Sequence, residues 1–406
     1  MMLQCPIANI NHADADGKTA LWVASENGNE NIVILLLKQS QIDVNQGDTN
    51  GATPLHIAAD TGQEEIVKLL LGHSQIDVNQ GDNAGRNALI MAANKARSDT
   101  VRLLLDHPQS DVNHGDDVGK TALIHASEGG HADTVKLILD HPLIDVNHGD
   151  QNGQTSLFFA SANGHSDTVK LLLDHTQIDI NQGDINGYTP LIKGSSNGHN
   201  ETMKLLLGHS QIDVNQGDKN QRTALWWASN YDQSDAVKLL LENPQVDVNK
   251  GDDGGVNALI QTAKKGFSDI AKLLLNHTNI QVNEVDKNKR TALWWASHYR
   301  HSGTVKLLSE QSIVDVNKAD IDGDTPLIRA SKTGHTDTAK HLLSHANIQV
   351  NLADRHGKTA LWWASYNGQT SYRVVELLLK QHGIQVNKVD ARGESPLFTA
   401  AGTVLI

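Results

Sequence analysis

Cysteine is almost absent from this chain of 406 residues. Cys5 stands alone, which excludes an intramolecular disulfide framework and fits a reducing compartment. Aromatic residues are scarce at 4%, so the core must be filled by Leu, Ile, Val and Ala, which suits thin stacked layers better than one wide globular core. No apolar run approaches about 18 residues, so no membrane span is expected. No basic segment followed by an apolar run opens the chain, so no secretory signal is read. Without one, the tripeptides Asn200-Glu201-Thr202 and Asn276-His277-Thr278 are taken as chance glycosylation matches. The expected location is intracellular, cytoplasmic with the nucleus as the other compartment. Positive charge is in short supply as well: the formal net charge is −13, which argues against general affinity for a phosphate backbone. The deficit is local. Residues 1–217 hold 12 Lys/Arg against 27 Asp/Glu, and residues 218–406 hold 22 against 20.

What the chain has in abundance is itself. An Asp closing a Val-Asn-x-x-Asp-like phrase recurs at Asp14, Asp48, Asp82, Asp116, Asp150, Asp184, Asp218, Asp252, Asp286, Asp320 and Asp354, always 34 residues apart. The next, Asp390, comes after 36 because Thr370-Ser371-Tyr372-Arg373 carries two extra residues. Such a period marks a repeat architecture. Numbering repeats 1 to 12 from these aspartates, repeat 2 shows the logic best. Asp48-Thr49-Asn50-Gly51 is turn chemistry. Thr53 caps a helix whose first position is Pro54, and Leu55, Ala58 and Ala59 share one face of it. Gly62 ends that helix. Gln63-Glu64-Glu65 opens a second helix, acidic in its first turn, with Ile66, Val67, Leu69, Leu70 and Leu71 as its broad apolar side. Ser74 to Asn79 then leads to the next Asp turn.

Period alone favours a tetratricopeptide unit of 34 residues over an ankyrin unit of 33. The residues decide otherwise. Thr53-Pro54-Leu55-His56-Ile57-Ala58 matches the ankyrin signature T-P-L-H-x-A position for position. Thr189-Pro190-Leu191-Ile192, Thr325-Pro326-Leu327-Ile328 and Thr19-Ala20-Leu21-Trp22 are variants of it. The chain resembles the ankyrin-repeat family over essentially its whole length. The resemblance implies an all-α solenoid of helix-turn-helix units joined by β-hairpin-like loops, read as a single domain over 1–406. The loop carries one residue more than the family's usual one, as in Gly72-His73-Ser74-Gln75-Ile76-Asp77-Val78-Asn79. Asn9 to Asn11 resemble the tail of an earlier repeat, and repeat 12 stops after its first helix. With no polar cap at either end, the expectation is a piece of a larger chain or ends covered by a partner, end-to-end self-association included.

Chemistry-bearing patterns fail on inspection. Gly17-Lys18-Thr19, Gly119-Lys120-Thr121 and Gly357-Lys358-Thr359 resemble the end of a phosphate-binding loop, but the glycine needed five positions earlier is His12, His114 or Leu352. Of the 21 histidines, His73, His107, His141, His175, His209, His277 and His345 occupy one repeat position after the second helix. They form no tight ligand cluster and are assigned to bonding the last helical carbonyls. No carboxylate pair stands out as an acid–base dyad. The expectation is a non-enzymatic chain without cofactor or metal.

One region departs from the background. Repeats 7, 9 and 11 share Leu-Trp-Trp-Ala-Ser, giving the pairs Trp226/Trp227, Trp294/Trp295 and Trp362/Trp363. The second Trp precedes a tyrosine by three or four residues, which places Trp227 with Tyr231, Trp295 with Tyr299 and Trp363 with Tyr366 on a common helix face. The same repeats have basic turn tips: Lys219 and Arg222, Lys287, Lys289 and Arg290, Arg355 and Lys358. In repeats 7 and 9 the turn glycine becomes Gln221 or Lys289, and the helix-ending glycine becomes Asp232 or Arg300. Tyr, Trp and Arg are enriched at binding hot spots, and broken local rules gather at functional sites. The competing reading is core packing spread by duplication of a 68-residue unit, since Asn279-Ile280-Gln281-Val282-Asn283 is nearly repeated at Asn347-Ile348-Gln349-Val350-Asn351. In it the first Trp packs between layers, where the family usually has histidine.

The resemblance also implies that variable turn tips and first-helix ends line a concave binding surface, to which Tyr231, Tyr299 and Tyr366 correspond. It implies further that Asn45 and Asn79, each in a Leu…Asp-Val-Asn setting, fit asparaginyl hydroxylation, against a plain loop-stabilising role. The leading expectation is an interaction scaffold binding an acidic or mixed protein segment along repeats 7–11. The alternatives are a nucleic-acid binder that stacks bases on the same aromatics and a regulatory segment of a larger signalling protein.

Overall fold

The computed structural model describes residues 9–403; Cys5 lies outside the described residues. These contain 23 α-helices, one 3₁₀ turn and no β-strand. Each helix has seven or eight residues, too few to persist alone in water. Packing between repeats therefore supplies their stability.

Each first helix starts where a Thr or Asn side chain, or Ser395 in repeat 12, takes the backbone N–H three residues on. Thr53 Oγ1 accepts from His56 N at 3.4 Å and Asn87 Oδ1 from Ile90 N at 2.9 Å. Pro54 occupies the first turn of Pro54–Thr61, and Gly62 ends that helix in the left-handed conformation at φ 76°. The Asp that opens each repeat organises its turn. Asp48 Oδ1 accepts from Asn50 N and Ala52 N, both at 2.9 Å, while Asp48 N donates to Ala52 O at 3.0 Å. Successive tips are tied together, as Asn83 N donates to Asn50 O at 2.8 Å. The hairpin-like character expected of the loops is confined to isolated antiparallel bridges such as Ala13–Thr19 and Gly115–Thr121.

Contacts divide the chain into two compact units. The first runs to Gly194 and includes Glu201–Ile212; the second comprises Ser195–Asn200 and the chain from Asp213 onward. In the first unit, first helices pack on first helices from Ala20–Glu26 through Ser156–Asn163, and second helices on second helices from Glu30–Leu37 through Ser166–Leu173. Its core is a column of Leu21, Leu55, Leu89, Leu123 and Leu157, with Val33, Val67, Val101, Val135 and Val169 from the second helices, all essentially without solvent contact. The second unit repeats the scheme from Ala224–Asn230 to Pro396–Thr403, around Leu225, Leu259, Leu293, Leu327 and Leu361. The two extra residues of repeat 11 are absorbed by the 3₁₀ turn Gly368–Thr370.

The loop histidines require a correction. Their rings do not bond the last helical carbonyls. Instead Nδ1 accepts a backbone N–H two residues on, from Gln75 N to His73 at 3.3 Å and from Asn347 N to His345 at 3.1 Å. The same holds at His107, His141, His175, His209 and His277. Asn243, which replaces histidine in repeat 7, accepts from Gln245 N at 2.9 Å through Oδ1. The position selects an acceptor one side-chain length away, as in an Asx turn.

Candidate interaction surface

All three tryptophan pairs lie in the second unit, on the helices Ala224–Asn230, Ala292–His298 and Ala360–Tyr366. The two rings of each pair have separate tasks. The first indole ties its repeat to the next: Trp294 Nε1 donates to Asp324 O at 3.0 Å and Trp362 Nε1 to Glu394 O at 3.2 Å. In the first unit, Trp22 Nε1 does the same with Ala52 O at 2.8 Å, and His56 Nε2 with Arg86 O at 2.7 Å. Packing between layers, expected for the first Trp, is therefore observed. Trp226 is the exception: its Nε1 is buried without a hydrogen-bond partner.

The second indole turns back onto its own repeat. Trp227, Trp295 and Trp363 donate Nε1–H to Oδ2 of Asp218, Asp286 and Asp354 at 3.1, 2.9 and 2.8 Å. Each aspartate already spends Oδ1 on its turn amides, so the indole satisfies the other oxygen of a buried carboxylate. His125 does this for Asp116 at 2.9 Å. The task was not legible in the sequence, although the constant nine-residue separation from each aspartate is its signature.

Much of the expected basic rim is also engaged. The Arg222 guanidinium lies 4.4 Å from the Trp227 ring centre, with Nε 2.9 Å from Asp218 Oδ2. Arg290 lies 4.6 Å over Trp294, and Lys358 lies 3.6 Å over Trp362. Lys264 and Lys332 cover Trp295 and Trp363 at 4.8 and 4.2 Å. Cations thus occupy the tryptophan faces on which bases would stack. Lys219, Lys287 and Arg355 remain exposed, and Arg355 Nη1 reaches Asp322 Oδ1 at 2.7 Å.

Exposure separates the aromatics. Trp227 is 9% exposed, whereas Tyr231, Tyr299 and Tyr366 are 53%, 47% and 49% exposed. Tyr231 stacks on Trp227 and Tyr299 on Trp295, each at 5.6 Å between ring centres. Tyr366 differs: it stacks on Trp362 at 5.4 Å and meets Trp363 edge-on at 6.0 Å. A four-residue step aligns the rings, and Tyr366 stands four residues from the first Trp, not the second. The indoles therefore act as a support, buried at Trp227 and partly buried at Trp295 and Trp363, and the tyrosines keep about half of their surface exposed to solvent.

The replaced glycines keep the glycine backbone. Gln221, Asp232, Lys289 and Arg300 have φ of 62°, 59°, 59° and 64°. Ala96 in repeat 3, at φ 56°, belongs with them and was not singled out in the sequence. A non-glycine residue held there costs roughly 1–2 kcal/mol, so the fold sustains strain in the two repeats that carry Tyr231 and Tyr299.

Asn45 and Asn79 lie in a ladder along the first unit. Asn45 Nδ2 donates to Gln75 O at 2.7 Å while its Oδ1 accepts from Asp77 N at 3.0 Å. Asn79 repeats this with Gln109 O at 2.6 Å and Asp111 N at 2.8 Å. Both ends of each amide are used for structure.

The family model described as ankyrin repeats (3 copies) matches residues 2–82, 42–116, 89–184, 178–252, 244–320 and 311–390. Among curated proteins, none matches the chain.

Proposed function

Because the chain belongs to the ankyrin-repeat family, whose stacked units generally serve as protein-interaction modules, we propose that it is a non-enzymatic scaffold binding a partner protein through repeats 7–11. The contact face is the one carrying the first-helix ends, where Tyr231, Tyr299 and Tyr366 stand. The observation that carries this reading is three half-exposed tyrosines, each stacked on an indole that is itself hydrogen-bonded in place. Stacking of this kind immobilises a ring before any partner arrives, which lowers the entropy cost of using it as an anchor. Lys219, Lys287 and Lys265, exposed nearby, favour an acidic or mixed segment over a basic one.

A pull-down comparing the wild-type chain with a Tyr231→Ala, Tyr299→Ala, Tyr366→Ala variant tests the assignment. The tyrosines are preferred to the tryptophans because removing an indole takes a hydrogen bond from a buried aspartate. The triple variant is expected to lose its partner while circular dichroism stays unchanged. Retention of every partner by a folded variant would move the search to the acidic repeats of the first unit.

A further inference from the structure

Within the second unit, cations collect where repeats 9 and 10 meet. Arg329 Nε donates to His298 Nδ1 at 2.9 Å, which makes His298 an acceptor there and places its proton on Nε2. The His298 ring lies 4.5 Å from Tyr299, and Tyr299 lies 6.1 Å from His301. His301 Nε2 and His335 Nδ1 bond the Lys264 and Ser297 carbonyls at 3.1 Å. Arg300 is exposed in the turn between Ala292–His298 and Ser302–Ser309, has no ion pair among the described residues, and sits in the strained left-handed conformation.

The carboxylates at this junction are already committed. Asp324 is held by Lys332 at 2.6 and 2.7 Å and reached only loosely by Arg329 Nη1 at 3.6 Å. Asp320 is 3.7 Å from Arg290 and spends Oδ1 on turn amides. Asp286 accepts from Trp295. Helix-terminal charge complementarity favours cations at these first-helix ends, but it would also favour protonated histidine. His298 goes the other way, pushed down to about 4 by burial and then by Arg329, Arg290 and His335. Burial also lowers His335, with Arg300, Arg329 and His301 adding to it against the Ser297 carbonyl. Arg290, Arg329 and Lys332 each lie within ion-pair distance of a carboxylate, Lys332 reaching Asp354 Oδ2 at 3.7 Å as well as Asp324, so Arg300 is left without one among the described residues.

We infer that Tyr299, Arg300, His301, Arg329 and His335, with His298, form an oxyanion subsite of the interaction surface, taking a phosphorylated or carboxylate side chain of the bound protein segment. The inference rests on the reading of repeats 7–11 as the partner-binding face. Guanidinium forks suit either oxyanion, and an incoming anion raises the proton affinity of His298 and His335, so binding takes up protons.

The test is a titration of the full chain with sulfate, whose charge is constant from about pH 5 to 7, followed through the histidine NMR signals at fixed ionic strength. Saturable shifts at His298 and His335 are expected, with affinity rising as pH falls and no such response to chloride. Arg300→Gly is the informative variant. It relieves the left-handed strain and so raises the melting temperature, while weakening sulfate binding by roughly 10-fold or more, as loss of a charged hydrogen bond does. Phosphate and acetate as further probes decide which oxyanion the site prefers. Shifts that are linear, match those with chloride, or persist in Arg300→Gly would overturn the subsite. Tighter binding of a single-stranded oligonucleotide than of a phosphorylated peptide would overturn the protein-segment assignment. If the partner of the pull-down survives Arg300→Gly but not the tyrosine variant, the subsite fails and the interaction face stands.

Discussion

A histidine in repeat 2 and tryptophans in repeats 1, 9 and 11 perform one task, carrying an N–H to a carbonyl in the next layer. His56→Trp should therefore cost little, whereas His56→Phe should cost about 1–3 kcal/mol, because the Arg86 carbonyl loses its donor; urea denaturation of both variants would measure the difference. The titration behaviour of the buried histidines belongs to the same scale. His56, His298 and His335 are all shifted below 6.5, with burial the leading cause. The unfolded chain then binds protons at a pH where the folded chain does not. Stability should be full above about pH 6.5 and fall with pH through a window that for His298 reaches down to about 4. His298→Gln should flatten part of that fall; an unchanged profile of denaturation midpoint against pH would show that the ring titrates as freely folded as unfolded.

At the scale of the element, the repeat's backbone is stronger than the preference of individual residues. Gln221 and Lys289 adopt the conformation that Gly51 and Gly85 adopt elsewhere. Gln221→Gly and Lys289→Gly should each stabilise the second unit by roughly 1 kcal/mol, seen as a rise in melting temperature. The reverse change should be costly where space is absent. A Cβ at Gly85 would come within 2.7 Å of Asp117 N, so Gly85→Ala is expected to destabilise the first unit by about 1–3 kcal/mol. Equal and negligible effects in both directions would mean that the tips relax at no cost. The helix boundaries themselves were legible, since Thr53, Pro54 and Gly62 act as their residue types dictate. The loop histidines were misread, because a ring near a helix end can face back to the carbonyls or forward to the loop amides, and only the path of the loop decides between them.

At the scale of the molecule, each unit is held along its length by packing and hydrogen bonds between neighbouring repeats. The asparagine ladder runs from Asn11 to Asn181 in the first unit and from Asn215 to Asn351 in the second. Each member binds a loop 30 to 34 residues on, so its loss should be felt locally. Asn113→Ala breaks bonds to Leu143 O and Asp145 N at 2.8 and 2.9 Å. Amide exchange should accelerate around residues 143–145 and remain unchanged three repeats away. Uniform acceleration throughout the first unit would instead indicate that it opens as one cooperative body.

The sequence by itself determined the architecture, since a 34-residue period with capping Thr, small Ala and terminal Gly admits few ways to bury short amphipathic helices. It also located the unusual repeats through Trp226/Trp227, Trp294/Trp295 and Trp362/Trp363. Only the tertiary structure decided what those residues face. Whether an indole is a floor or a support depends on which aspartate or carbonyl lies across from it, and whether Arg222 is a free rim charge depends on the ring and carboxylate beside it. Those neighbours come from folding the turn back over its own helix and laying the next repeat against it. One-dimensional spacing records the recurrence of such contacts but not their direction.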